Sequence, residues 1–152
     1  MKEKDFQILF SKWAEENKGY IKSQYGKFSA FELKIEKSQS IRFDSLSPHQ
    51  VIALKEVEDE GCYHKINDMP FIPDNPKMRF TNKKPFDCFF GCGNGYVVVW
   101  FYKKGQRAKD REMIIVPFSK WREAEMIAED ESRKSIKEDL LKEIGFIERF
   151  CF

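Results

Sequence analysis

The sequence predicts a mixed α/β fold, in which a central sheet of parallel and antiparallel strands is flanked by helices. Three observations predict this α+β mixed sheet. Residues 28–36 alternate apolar and polar side chains with the period of a strand, residues 96–102 are strongly apolar, and residues 3–18 carry an apolar stripe at helical spacing. Strands of this kind need helices to cover the faces of their sheet.

The size and composition of the chain favour one domain with an aromatic-rich core. The chain has 152 residues, of which 41% are hydrophobic and 15 are Phe. The net charge of +2 excludes a global basic field, but residues 18–42 and 103–111 are locally basic and residues 123–149 are acidic. Two basic stretches fit a phosphodiester substrate, and ordinary solvated loops are the alternative.

No motif in the chain indicates a structural zinc site or a membrane segment. The four cysteines form no C-x-x-C pair and have no histidine at zinc-ligand spacing. The first residues lack an apolar signal region, and no apolar run approaches membrane-spanning length. We therefore expect a reduced, soluble, cytoplasmic protein without a membrane partner.

The first half of the chain predicts a helix, a strand and a second helix. The stripe in 3–18 predicts the first helix, followed by a polar, basic link over 19–27. The alternation in 28–36 predicts the strand, and a short extended piece follows at 41–43. Ser47 is a good N-cap, and Pro48 and Gln50 complete the start of a helix that ends near Gly61.

The second half predicts mostly strands and then helices. A strand at 62–66 leads into a long, basic, proline-rich loop over 69–84. Residues 85–90 and 96–102 predict a hairpin, because the glycine-rich segment 91–95 between them has the composition of a turn. A further strand is predicted at 113–116, with helices at 119–129 and 132–144.

The candidate site lies on the strand 28–36. Glu32 and Lys34 project from the same face of this strand, about 7 Å apart along the backbone. Gln50 is expected near them at the start of the next helix, and Asp87 offers a second carboxylate. Magnesium prefers hard oxygen ligands, often one or two carboxylates. Glu32, Asp87 and the carbonyl of Leu33 would therefore suit Mg²⁺, with Mn²⁺ expected to substitute.

In this interpretation each polar group has a chemical role. Lys34 would polarise an attacking water or stabilise charge on the transition state, and Gln50 would orient the water or a phosphate oxygen. Glu15 or Glu16 is a further candidate for the site. The alternative is that Glu32 and Lys34 are an ordinary exposed strand pair and that Gln50 only caps its helix. Capping and catalysis are expected to compete, because they need different directions of the Gln50 amide.

Part of the chain resembles a known nuclease family. Phe31-Glu32-Leu33-Lys34, the charged loop to Phe43, His49-Gln50-x-x-x-Leu54, and Gly61 before a strand resemble the RecU-type Holliday-junction resolvases of the PD-(D/E)XK nuclease superfamily. The similarity spans residues 28–66. It implies a restriction-endonuclease-like core and a magnesium-dependent endonuclease that acts on DNA, with branched DNA as the candidate substrate. It also implies a homodimer. It also implies that Glu32 and Lys34 are the acid-x-Lys pair, Gln50 the accessory amide and Asp87 the superfamily aspartate.

The order of these motifs departs from the superfamily pattern. The superfamily aspartate normally precedes the acid-x-Lys pair, on the adjoining strand of a hairpin, whereas Asp87 follows it. Either the core is circularly permuted, so that Asp87 and Glu32 converge through folding, or Asp87 is not the equivalent residue. The residues expected to bind nucleic acid are Lys77, Arg79, Lys83, Lys84, Lys103, Lys104 and Arg107. The alternative functions are a non-catalytic nucleic-acid-binding module and a protein-interaction domain that uses the acidic C-terminal helices.

Overall fold

The structure is a computed structural model that describes residues 2–26, 28–65, 87–106 and 112–149, with the backbone alone for 62–65 and 87–90. Within these residues it contains five α-helices and eight strands. The helices are α1 (Glu3–Glu16), α2 (Lys18–Gln24), α3 (Pro48–Asp59), α4 (Phe118–Asp130) and α5 (Glu138–Ile144), and a 3-10 turn spans Phe43–Ser45. The strands are β1 (Ser29–Glu36), β2 (Ser40–Arg42), β3 (Cys62–Lys65), β4 (Asp87–Phe90), β5 (Asn94–Phe101), β6 (Glu112–Pro117), β7 (Ser135–Lys137) and β8 (Phe146–Arg149).

A mixed four-stranded sheet in the order β1-β5-β6-β8 is the centre of the described fold. β1 runs parallel to β5, with Glu32 opposite Val97 and Lys34 opposite Val99. The β5–β6 and β6–β8 pairs are antiparallel. Two smaller antiparallel pairs, β2–β7 and β3–β4, lie outside this sheet. The predicted mixed α/β fold class is therefore confirmed, and the expectation of a permuted, restriction-endonuclease-like core stays a prediction.

Both faces of the central sheet are covered by hydrophobic side chains. On one face Phe6, Phe10 and Trp13 of α1 pack on Val98 and Trp100 of β5. The other face carries Val97, Val99 and Phe101, which pack against side chains of α3, α4 and α5. Because successive residues of β5 point to opposite faces, its continuous apolar run fills both cores at once.

The predicted hairpin between residues 85–90 and 96–102 is wrong. β4 pairs with β3, and β5 is a central strand between β1 and β6. The connection between them is tied to other elements, since the N–H of Gly93 donates to the carbonyl of Val57 and that of Asn94 to the carbonyl of Phe28. A strand buried on both faces is stabilised more by two neighbouring strands of the core than by a short hairpin partner.

Three other boundaries also differ from the sequence expectation. The link predicted over 19–27 contains α2, and the helix predicted over 132–144 is divided into β7 and α5. Ile136 of β7 is buried, because β7 pairs with β2 beside the α3–α4 core. The edge strand β8 was not predicted at all. None of the described helices is long and apolar enough to span a membrane.

Truncation of Trp100 is expected to destabilise the protein strongly. This side chain has no exposed surface, and its ring centroid lies 5.4 Å from that of Phe6. We expect Trp100→Ala to lower the free energy of unfolding by about 3–5 kcal/mol, because it removes this contact area and leaves a cavity. Urea denaturation measures the change. Met126→Ala is the matched control, since Met126 is 64% exposed. A loss for Trp100→Ala no larger than that of the control would contradict the described core.

Candidate functional site

The strand β1 places the two charged groups of the candidate site on the face of the sheet that α3 covers. Phe31, Leu33 and Ile35 pack toward the α1 face, whereas Ala30 packs against the opposite core beside Leu54 of α3. Glu32 and Lys34 share the face of Ala30 because side chains alternate along a strand. The predicted alternation of β1 is therefore confirmed, and it separates an apolar face from a charged one.

The first turn of α3 places the side-chain amide of Gln50 beside Glu32 and Lys34. Pro48 occupies the first helical position after the N-cap Ser47, where its missing N–H costs nothing. The side-chain Oε1 of Gln50 accepts the backbone N–H of Ser47 at 3.0 Å. This bond belongs to a capping box and holds the Gln50 side chain along the first turn of the helix.

Glu32, Lys34 and Gln50 form a closed triangle of polar contacts. The Lys34 Nζ lies 3.2 Å from Oε1 of Glu32 and donates to Oε1 of Gln50 at 3.0 Å. The Nε2 of Gln50 donates to Oε1 of Glu32 at 2.5 Å. The structure thus brings together three of the four side chains that the sequence proposed for the site.

The neighbours of Gln50 leave only one orientation for its amide. Two donors, the Ser47 N–H and the Lys34 ammonium, meet its oxygen, and one acceptor, Glu32, meets its nitrogen. A flipped amide would set donor against donor and acceptor against acceptor. The oxygen of Gln50 therefore caps the helix while its nitrogen faces the carboxylate, and the expected competition between capping and catalysis stays a prediction.

The triangle is partly shielded from water but remains accessible. The Lys34 side chain is 14% exposed and that of Glu32 is 24% exposed. A cavity of about 380 Å³ opens beside them, and the residues that line it include Glu32, His49, Gln50 and Val57. His49 is exposed at the rim, with its Nδ1 3.1 Å from the hydroxyl oxygen of Ser47. The cavity is large enough for a substrate group to reach Glu32 and Gln50.

Asp87 belongs to a strand outside the central sheet. Its backbone begins β4, opposite Lys65 of β3, and so lies in a different sheet from Glu32. The Asp87 side chain lies outside the described part of the chain. Convergence of the two carboxylates therefore stays a prediction.

The other predicted site residues are spread over the molecule. Lys103 is close to Glu138, with 3.6 Å between Nζ and Oε2, and Lys104 is exposed in the turn after β5. Glu15 and Glu16 belong to α1, whose core residues pack on the face of the sheet opposite Glu32. The remaining predicted nucleic-acid-binding residues lie outside the described residues: Lys77, Arg79, Lys83, Lys84 and Arg107.

The oxygen ligands described around Glu32 match the smallest number that a protein usually supplies to Mg²⁺. Mg²⁺ usually takes one or two protein carboxylates and completes its octahedron with waters and substrate phosphate. Glu32 supplies one carboxylate, and the adjacent backbone carbonyl of Leu33 is the second candidate oxygen. Within the described ranges no group of three or more His, Cys, Asp or Glu side chains converges on one point. A second carboxylate would therefore have to come from Asp87.

Comparisons of the chain with known proteins found no match. No family model matches the chain, and neither a curated protein nor a solved structure matches it. The resemblance of residues 28–66 to RecU-type resolvases therefore stays a prediction from the sequence.

Loss of the Gln50 amide is expected to destabilise the start of α3. Gln50→Met keeps a long side chain but removes the bonds to Ser47, Lys34 and Glu32. We expect the free energy of unfolding to fall by about 1–2 kcal/mol, the usual range for a lost cap and a lost bond to a charged group. Urea denaturation tests this. Gln7→Met, at an exposed position of α1, is the control. Equal stability of the two variants would mean that the triangle contributes nothing to folding.

Proposed function

We propose that this protein is a metal-dependent endonuclease that hydrolyses phosphodiester bonds of DNA. The observation that carries the proposal is the contact of Glu32 with both Lys34 and Gln50 at the edge of an open cavity. A carboxylate, an ammonium and an amide at one point supply a cation ligand and two kinds of hydrogen-bond donor. Phosphodiester hydrolysis needs these groups, because negative charge must be neutralised while water attacks phosphorus.

The free donors of the site define what the side chains can do to a substrate. An ammonium has three N–H groups, and two of those of Lys34 face Glu32 and Gln50. The remaining one is available to a nonbridging phosphate oxygen or to the attacking water. Gln50 likewise keeps one N–H of its amide beyond the bond to Glu32. Both donors are held by folded neighbours, so little reorganisation is needed when charge develops.

Glu32 would hold the divalent cation, with the Leu33 carbonyl and Asp87 as the further candidate ligands. Bound there, the cation would act as a Lewis acid and lower the pKa of a coordinated water. The α3 N-terminus adds a partial positive charge next to Gln50, which favours an anionic phosphate on the same side.

We also propose a particular kind of DNA substrate and an oligomeric state. Following the similarity of residues 28–66 to junction resolvases, we propose branched DNA as the substrate and a homodimer as the active form. Two coordinated cuts on opposing strands need two sites related by twofold symmetry. Light scattering after size exclusion measures the dimer, and a monomer at assay concentration would remove this part of the proposal.

A nicking assay tests the enzymatic proposal against its rivals. Supercoiled plasmid and a four-way junction are incubated with the protein in Mg²⁺, Mn²⁺ or EDTA. Cutting that requires the metal supports the nuclease. Salt-sensitive DNA binding without cutting in any metal would instead support the non-catalytic nucleic-acid-binding module. Absence of both cutting and DNA affinity would leave the protein-interaction domain.

A further inference from the structure

A second cavity lies on the other side of β1, between this strand and the helices α1 and α2. Its volume is about 640 Å³, within the range of pockets that hold small ligands. The residues that line it include Phe10, Ala14, Lys18, Lys22, Phe28 and Phe31. This cavity, called the α1–β1 groove below, has no role in the endonuclease site described above.

The α1–β1 groove combines an aromatic floor with a rim that carries two lysines and Glu15. Phe28 and Phe31 are only half-buried, and the ring centroids of Phe10 and Phe31 are 5.3 Å apart. Lys18 and Lys22 are exposed on α2. Lys18 faces Glu15 with 3.8 Å between Nζ and Oε1, but both side chains are 76% exposed, so the pair is weak in water. The described part of the chain supplies no acidic partner for Lys22.

The groove and the candidate active site share one lining residue. Phe31 lines both the groove and the cavity beside Glu32. β1 is an edge strand of the described sheet, so a ligand crossing this edge would meet both faces of the strand. Phe31 and Glu32 are consecutive but point to opposite faces of β1, so a polymer with a phosphate at Glu32 would reach the groove by crossing this edge.

We infer that the α1–β1 groove binds an unpaired nucleotide of a DNA strand, next to the phosphate that is cut. An unpaired base offers a flat face for the phenylalanines, and its flanking phosphates suit Lys18 and Lys22. A base inside a duplex is stacked and paired, so entry into the groove costs unstacking, and an already unpaired base avoids this cost. The inference rests on the proposed nuclease function and specifies its substrate as DNA with an unpaired segment at the cutting site.

Binding in EDTA, where no cutting is expected, tests the groove directly. A fork with one unpaired arm and a blunt duplex of the same length are compared by fluorescence anisotropy. We expect the wild-type protein to bind the fork about tenfold more tightly. In the double variant Lys18→Glu, Lys22→Glu this preference should disappear, while duplex affinity changes less than about threefold. Ser11→Trp should have the same effect without a change of charge, because the exposed Ser11 lines the groove.

A control variant separates the groove from general electrostatics. Lys120→Glu, Arg122→Glu makes the same change of net charge on α4, whose core side chains pack on the other face of the sheet. It should keep the fork preference. Circular dichroism and thermal melting confirm that each variant folds. Ultraviolet crosslinking of 5-iododeoxyuridine in the unpaired arm should label peptides that contain Phe10, Phe28 or Phe31.

Each outcome bears on the inference. Equal affinity of wild type for fork and duplex, a fork preference that survives both groove variants, or equal losses for fork and duplex in the lysine variant would overturn it. So would crosslinks only to other segments. Fork preference without cutting in Mg²⁺ or Mn²⁺ would keep the groove and refute the nuclease. Cutting without fork preference would keep the nuclease and refute the groove. Absence of any DNA binding would refute the groove and the nuclease together.

Discussion

Glu32→Gln is expected to abolish metal-dependent cutting of DNA, with a rate loss of about 10²–10³-fold or more. Glutamine keeps the size of the side chain but removes the negative charge that would hold the cation. It also weakens the contact with Lys34, whose Nζ lies 3.2 Å from Oε1. A plasmid-nicking time course measures the rate, and DNA binding in EDTA should change little, since the carboxylate does not attract phosphates.

Glu36→Gln is the matched control for this substitution. Glu36 lies on the same strand and has the same side-chain chemistry, but its Oε1 accepts the N–H groups of Lys37 and Ser38 at 2.7 and 3.0 Å. It therefore belongs to the end of β1 rather than to the triangle. We expect cutting by Glu36→Gln within about threefold of wild type, as is usual for a surface substitution. Unchanged cutting by Glu32→Gln would remove Glu32 from the mechanism.

Lys34→Met is expected to lower the cutting rate by about 10²-fold, the usual cost of a lost transition-state donor. Methionine retains an unbranched side chain of similar length but carries no charge and no N–H. Lys34→Arg should be intermediate, because the charge remains while the planar guanidinium cannot reproduce the bonds to Glu32 and Gln50. Single-turnover nicking rates measure both effects.

A structural role for Lys34 gives a different pattern from a catalytic one. Lys55→Met, at an exposed position of α3, controls for the loss of one positive charge. If Lys34 only held Glu32 and Gln50 in place, Lys34→Arg and Lys34→Met would each lose activity in proportion to their loss of thermal stability. The result that we expect for Lys34→Met is a rate loss of about 10²-fold at a temperature where the variant is fully folded, larger than its loss of thermal stability accounts for.

The parts of the fold and the site that depend on local sequence could be predicted. The alternation of 28–36 placed Glu32 and Lys34 on the face opposite Phe31, because a strand has a fixed side-chain period. Ser47, Pro48 and Gln50 marked the start of α3 through the chemistry of helix caps. Strand β1 and the start of α3 are close in the chain, and they were expected to lie near each other. The hydrogen bond from Gln50 to Glu32 was not anticipated.

The parts that depend on distant pairing could not be predicted. A glycine-rich segment between two apolar runs favours a hairpin locally, yet β5 pairs with β1 and β6, which are far from it in sequence. Ser135–Lys137 has no local strand signal and forms β7 only because β2 lies beside it. The period of the strand places Phe31 on the face opposite Glu32, and its place in the lining of two cavities is visible only in three dimensions.

A manganese soak tests most directly whether Glu32, Lys34 and Gln50 form a metal-assisted hydrolytic site. Crystals of the protein soaked in Mn²⁺ are measured at the manganese absorption edge. We expect an anomalous peak within about 2.5 Å of a Glu32 carboxylate oxygen, with Asp87 as the second carboxylate ligand. A fully soaked crystal with no peak at Glu32, and with the Asp87 side chain directed away from it, would contradict the account.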